Sequence, residues 1–303
     1  MSARSVWHAG ERALHDRFGV SARMAEAGPR LIRDYMPDQH REFFEHLPFV
    51  ILGCVDGAGR PWAGALVGQP GFVRSPDPRT LRIAALPEPD DPLSAGFVAD
   101  AAIGLLGIEP HTRRRNRANG RIREIDATCA AATIGVEHSF GNCPKYIRPR
   151  ALTRSSVSAP VAAVRTSGLD PAARAQIEAA DTLFVASHVD LDPGRQVDVS
   201  HRGGEPGFVC VDRTCDALTI PDYAGNQFFN TLGNLVRQPR VGLLFIDFVG
   251  GDLLHVTGEA ELLLDRDDPR VRALAGAERA WHVHVHECVR RVGAWPLLES
   301  SGE

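Results

Sequence analysis

The chain carries two copies of one pattern. Gly68 to Val73 (GQPGFV) recurs as Gly204 to Val209 (GEPGFV), and Ile103 to Ile108 (IGLLGI) recurs as Val241 to Ile246 (VGLLFI). Upstream, Phe49 to Asp56 (FVILGCVD) lies against Leu183 to Asp190 (LFVASHVD), and downstream Asn119-Gly120 lies against Thr257-Gly258. The blocks keep their order and their spacing drifts only by loop-sized amounts, which chance matches rarely do. Whatever unit one copy folds into, the other folds into it too.

Each copy reads as a short helix (Asp38 to His46; Pro171 to Ala180, with Asp170 as N-cap) leading into an apolar strand. A turn follows, at Asp56 to Gly59 and at Asp192 to Gly194. Strands rich in Val, Leu, Ile and Phe come next, broken by Gly and Pro. Helix-like segments interrupt them at Asp91 to Asp100 and at Asn226 to Gln238. This pattern predicts a mainly β fold with helices, one small antiparallel barrel per copy, the two packed as an intramolecular pseudo-dimer. The expected layout is a helical segment over 1–37, a first barrel over 38–147, a Pro/Ser/Thr-containing linker over 148–169 and a second barrel over 170–303.

The 303 residues suffice for two cores, and no apolar run approaches the length of a membrane helix. The longest, Leu47 to Val55, reads as a buried strand. The N-terminus has no apolar stretch of the secretory kind, so a cytoplasmic location is expected. A net charge of -4 gives no global attraction to nucleic acid or anionic membrane, so any polyanion site must be local. The six cysteines lie at irregular spacings with no CxxC pair and read as reduced thiols. Walker, Ser-His-Asp and dinucleotide-binding patterns are not found.

Further motifs are Trp7 to Glu11 (WHAGE), Thr112 to Gly120 (TRRRNRANG), Phe140 to Ile147 (FGNCPKYI), Val197 to Gly204 (VDVSHRGG) and Ile220 to Asn234 (IPDYAGNQFFNTLGN). With the repeated GxPGFV, they make the sequence resemble the FMN-binding split-barrel family related to pyridoxamine 5'-phosphate oxidase, in its tandem-barrel branch. The resemblance implies FMN at the seam between barrels, its phosphate held by one and its ring covered by the other. A phosphate needs several donors and a permanent cation. Ser200, His201 and Arg202, with the glycines after them, offer these, and Asn226, Asn230 and Thr231 add donors near a helix N-terminus. The first copy has Val67-Gly68 and Leu86 to Asp91 (LPEPDD) instead, so its site is expected to be degenerate. It does supply Arg113, Arg115 and Arg117, which alternate along a strand and would share a face. The resemblance puts Arg115 and Arg117 beside the flavin, and Lys145 is a further cation able to reach across the seam.

Each feature has a plainer reading. The arginine run could be a solvated edge strand or a nucleic-acid contact, Ser200 to Gly204 a polar strand end, and Asn226, Asn230 and Asn234 helix caps. His282, His284 and His286 alternate on a strand, which fits a metal cluster or a half-exposed strand with Val283 and Val285 buried; the second is expected, with no metal. Cys143, beside Lys145, is expected to be structural or near the flavin rather than a nucleophile. The expected function is an FMN-dependent oxidoreductase, a flavoprotein passing hydride through flavin N5. Classical pyridoxamine phosphate oxidase activity is not expected, because Asn226-Gln227 replaces that enzyme's Arg-Lys pair. With no appended reductase domain, electrons would come from free NAD(P)H or a redox partner protein, and the pseudo-dimer could pair into a homodimer. The alternatives are a non-catalytic flavin-binding or redox-sensing module, or a split barrel holding haem or deazaflavin.

Overall fold

The computed structural model describes residues 5–155, 162–192, 194–212 and 216–299; Cys215, Pro193 and part of the expected linker lie outside these. Three helices open the chain, α1 (Ala9–Arg17), α2 (Ser21–Leu31) and α3 (Asp38–His46). His8 caps α1: its side chain accepts from the Gly10 N–H while the Glu11 carboxyl accepts from the His8 N–H. The first copy then supplies β1 (Phe49–Val55), β2 (Pro61–Val67), β3 (Val73–Asp77), β4 (Thr80–Ile83), β5 (Ala102–Glu109), β6 (Arg114–Asp126) and β7 (Ala131–Gly141). After β8 (Leu152–Arg154) and β9 (Val164–Thr166), the second copy begins with α4 (Pro171–Ala179), capped by Asp170. Its strands are β10 (Thr182–Asp190), β11 (Arg195–Gly203), β12 (Cys210–Asp212), β13 (Ala217–Asp222), β14 (Arg240–Ile246), β15 (Leu253–Leu263) and β16 (Arg279–Arg291). Helix α5 (Asn230–Arg237) precedes β14, α6 (Pro269–Arg272) precedes β16, and β17 (Leu297–Glu299) ends the described chain.

The two large antiparallel sheets repeat one another strand for strand. The first runs β2-β1-β5-β6-β7-β4-β3 and the second β11-β10-β14-β15-β16-β13-β12. The repeated motifs now have physical reasons. In GxPGFV the second glycine takes a left-handed turn, with φ +91 at Gly71 and +82 at Gly207. The first glycine lies so close to Phe72 or Phe208 that a side chain there would strike it. Gly120 and Gly258 sit at matching β-bulges in β6 and β15, each against a facing carbonyl that leaves no room for a Cβ.

The barrels meet through β1, β2 and β5 on one side and β10, β11 and β14 on the other, with Phe49, Ile51 and Leu106 packed among Phe184, Val199 and Leu244. The glycine shared by IGLLGI and VGLLFI makes this approach possible. A Cβ on Gly104 would come within 2.9 Å of the Val199 nitrogen, and one on Gly242 within 2.9 Å of the Trp62 Cα.

Three local expectations need correction. The first copy's Asp91 to Asp100 forms only a short 3-10 turn, Pro92–Gly96, capped by Asp91 and followed by left-handed backbone at Asp100. In the second copy the helix starts at Asn230 rather than Asn226, since Gln227 and Phe229 have φ +62 and +60. The connector is partly strand: β8 pairs with β17, and β9 pairs with β16. Among the described residues no helix is long and apolar enough to cross a membrane.

Candidate functional site

The seam opens into a cavity of about 810 Å3, counting its open mouth. The first barrel contributes Arg115 and Arg117 from β6 and Cys143, Lys145 and Tyr146 from the segment after β7. The second contributes Ser200, His201 and Arg202 from β11, Asn226 from the loop after β13, and Asn230 and Thr231 from the first turn of α5. Every residue expected at the cofactor thus lines one cavity, from both copies. Arg113 does not join them. It is exposed, with φ +56, and β6 begins only after it, so the shared face holds Arg115 and Arg117 alone.

Five cations line the cavity, Arg115, Arg117, Lys145, Arg202 and Arg279, against one carboxylate, Asp222. Arg117 pairs with Asp198 and also donates to Ser200 and, at 3.1 Å, to Asn230 Oδ1. Arg115 donates to His201 Nδ1 at 2.9 Å. Burial and the arginines around it hold the His201 imidazole well below its ordinary pKa, so it is neutral and accepts this bond. Burial and the neighbouring guanidiniums lower Arg115 to about 9, which still leaves it charged at neutral pH. Asp222 accepts from Arg279 at 2.9 Å and stands 3.5 Å from Arg202. Even so, Nε of Arg115, of Arg117 and of Arg202 are buried without a partner. Unspent guanidinium donors inside a cationic cavity are what an anion would satisfy.

Some expected donors are already used. Asn230 gives its amide to Glu11 at 2.7 Å, Thr231 gives its hydroxyl to Ser200 at 2.8 Å, and Ser200 gives its only proton to Asp198 at 3.3 Å. These three orient Arg117. Asn226 Oδ1 accepts from the Phe228 N–H. Asn234 lies elsewhere, buried against Ser187. Backbone donors remain available, because the first-turn amides of α5 have no intrahelical partner. Gly203 is needed for closeness: a side chain there would collide with the Tyr146 carbonyl.

The sequence reading missed Asp198, Asp222, Arg279 and the stacked pair Tyr146–Tyr223, whose ring centroids lie 5.2 Å apart. Asp198 had left a signal, an acid flanked by Val197 and Val199 in a strand. Left-handed backbone at Tyr146, Gln227 and Phe229 gathers around the cavity, a strain of the kind found at ligand sites.

In the first copy the loop after β4 does something different. Glu88, Asp90 and Asp91 close on Arg291 of β16, with Asp91 at 2.9 Å and Asp90 at 3.0 Å. Leu93 packs over Gly64, 3.1 Å from where its Cβ would be. The acidic loop holds a cation of the protein's own. In the β16 histidine run, Val283 and Val285 are buried, His284 and His286 are exposed, and His282 bonds Thr219 at 2.9 Å.

Residues 36–167 match the family model described as pyridoxamine 5'-phosphate oxidase. Over this stretch, the first barrel and its connector, the chain is similar to pyridoxamine 5'-phosphate oxidase-related split-barrel proteins. Solved structures similar to this split-barrel protein include HupZ of Group A Streptococcus, 12% identical over 39% of this chain and 90% of its own, with a TM-score of 0.29. HutZ, the haem storage protein of Vibrio cholerae, is 15% identical over 39% of this chain and 89% of its own, with a TM-score of 0.25. An FMN-binding protein of Syntrophomonas wolfei is 12% identical over 39% of this chain and 86% of its own, with a TM-score of 0.25. No curated protein matches the sequence.

Proposed function

We propose that the seam cavity binds FMN and that the protein is an FMN-dependent oxidoreductase. The observation that carries this reading is the trio of buried, unpartnered guanidinium nitrogens in a cavity of five cations and one carboxylate. A phosphate dianion supplies the missing acceptors and offsets the crowding of positive charge. Arg202 and Lys145 would hold the phosphate together with the first-turn amides of α5, and Arg115 would stand nearer the ring. Arg117 keeps its place through Asp198, Ser200 and Asn230, so it presents a fixed charge at the wall. His201 is neutral and accepts from Arg115 at Nδ1, so it orients that guanidinium and adds no charge at neutral pH. When bound, FMN supplies hydride transfer at N5, with NAD(P)H or a redox partner protein as the electron source. A single site per chain fits this reading, because the first copy's loop is taken by Arg291.

Fluorescence titration with FMN and with riboflavin, which lacks the phosphate, tests it. FMN is expected to bind at least about tenfold more tightly, the worth of one charge-assisted hydrogen bond. Equal affinities would remove the phosphate from the account.

A further inference from the structure

A second cavity lies behind the Arg117–Asp198 pair, about 400 Å3 counting its mouth. Arg117 lines the first cavity and Asp198 the second, so the pair is the partition, and Asn230 faces both. The N-terminal segment covers it with His8, Glu11 and Ile32, and Asn119, His138 and Phe140 come from β6 and β7.

Among the described residues no lysine or arginine lines this space, and its acids and imidazoles are all balanced or uncharged. Asp198 is neutralised by Arg117 and also accepts from Asn119 at 3.1 Å. Burial pushes Glu11 up to about 8, so its carboxyl keeps a proton at neutral pH. Burial pulls His8 down to about 4 and lowers His138 as well. The first cavity asks for an anion; this one offers an anion no counter-charge, and a cation only an acid already spent.

Two buried polar atoms here are unspent. His8 Nδ1 accepts from the Gly10 N–H, so the proton of the neutral ring sits on Nε2. That nitrogen has only loose neighbours, the Asn234 amide and Glu11 Oε2 at 3.6 Å, and the His8 side chain is only 7% exposed. Asn119 gives its amide to Asp198 and leaves Oδ1 without a partner. The cavity thus holds one donor without a well-aligned partner, His8 Nε2, and one free acceptor, Asn119 Oδ1, on different elements, beside the apolar faces of Phe140 and Ile32. We propose that it binds a small uncharged molecule with a hydrogen-bond acceptor and donor side by side on a flat apolar body, as in an aromatic carboxamide. This gives the WHAGE motif a purpose beyond capping. Trp7 anchors the segment through Met24 O at 2.8 Å, Gly10 lets α1 cross α5 at Gly233, and His8 and Glu11 are delivered into the cavity.

Benzamide and benzoate, alike but for charge, are the probes, titrated into the full chain by ligand-observed NMR. Benzamide is expected to bind with a dissociation constant on the order of 1 mM, and benzoate about tenfold more weakly or worse. Asn119→Leu and His8→Phe should each weaken benzamide about tenfold, and Arg202→Ala, in the other cavity, should leave it unchanged. Should either variant fail to fold, judged by its melting curve, Phe140→Ala removes the apolar wall and must weaken benzamide likewise. Absence of benzamide binding, equal binding of benzoate, or a loss caused by Arg202→Ala but not by the second-cavity variants overturns the proposal.

Discussion

Arg117 Nη1 lies 2.7 Å from both carboxylate oxygens of Asp198, joining β6 of the first barrel to β11 of the second inside the seam. The same guanidinium lies over the Phe140 ring, its Cζ 5.3 Å from the centroid. Removing one partner leaves a buried charge uncompensated. Arg117→Met is therefore expected to cost about 3–5 kcal/mol. Arg117→Met with Asp198→Leu should recover more than half of that, because neither charge is then stranded. Urea denaturation of the two single variants and the double variant checks this, and additive losses would contradict it.

Arg202→Ala should weaken FMN binding by about tenfold to a hundredfold, the range of a hydrogen bond to a charged group. Val67→Ala, in the first copy's β2, should change it little. Stoichiometric FMN retained by the Arg202 variant would move the phosphate elsewhere in the cavity.

Much of this site was legible because its residues come in short runs. Ser200, His201 and Arg202 are consecutive, and the duplication shows where the second copy departs from the first. The partners that complete it were not legible. Arg117 and Asp198 are far apart in sequence and meet only because the barrels pack face to face, and Arg279 arrives from the distant strand β16. Arg113 was misjudged for a local reason: a 3-10 turn ending in left-handed backbone precedes β6, and strand periodicity cannot register it. The acidic loop of the first copy read as phosphate-repelling; that it grips Arg291 depends on a contact between barrels.

The Glu11 carboxyl ordinarily titrates at 4.5 and is pushed up to about 8 by burial. The folded chain therefore holds a proton that the unfolded chain releases. The stability this contributes is full below pH 4.5 and declines as pH rises to about 8. Glu11→Gln, which has no proton to lose, should gain stability relative to the parent as pH goes from 5 to 8.5, by on the order of a few kcal/mol, and so melt progressively higher. A difference in melting temperature that is flat with pH would contradict the buried, protonated state.

Gly104→Ala and Gly242→Ala place a methyl at matching points of the seam, against β11 and β2 respectively. Each should cost about 1–3 kcal/mol, as overpacking does. Thermal melts of both variants check this, and two neutral substitutions would mean that the barrels do not approach as closely as these contacts require.

The most direct test is the visible absorption spectrum of the purified protein loaded with FMN, recorded anaerobically before and after addition of NADH or NADPH. The account predicts bound flavin bands that bleach with a donor. Protein that takes up no FMN at any ratio would contradict the cofactor assignment, and bound flavin that no nicotinamide or protein donor reduces would contradict the oxidoreductase.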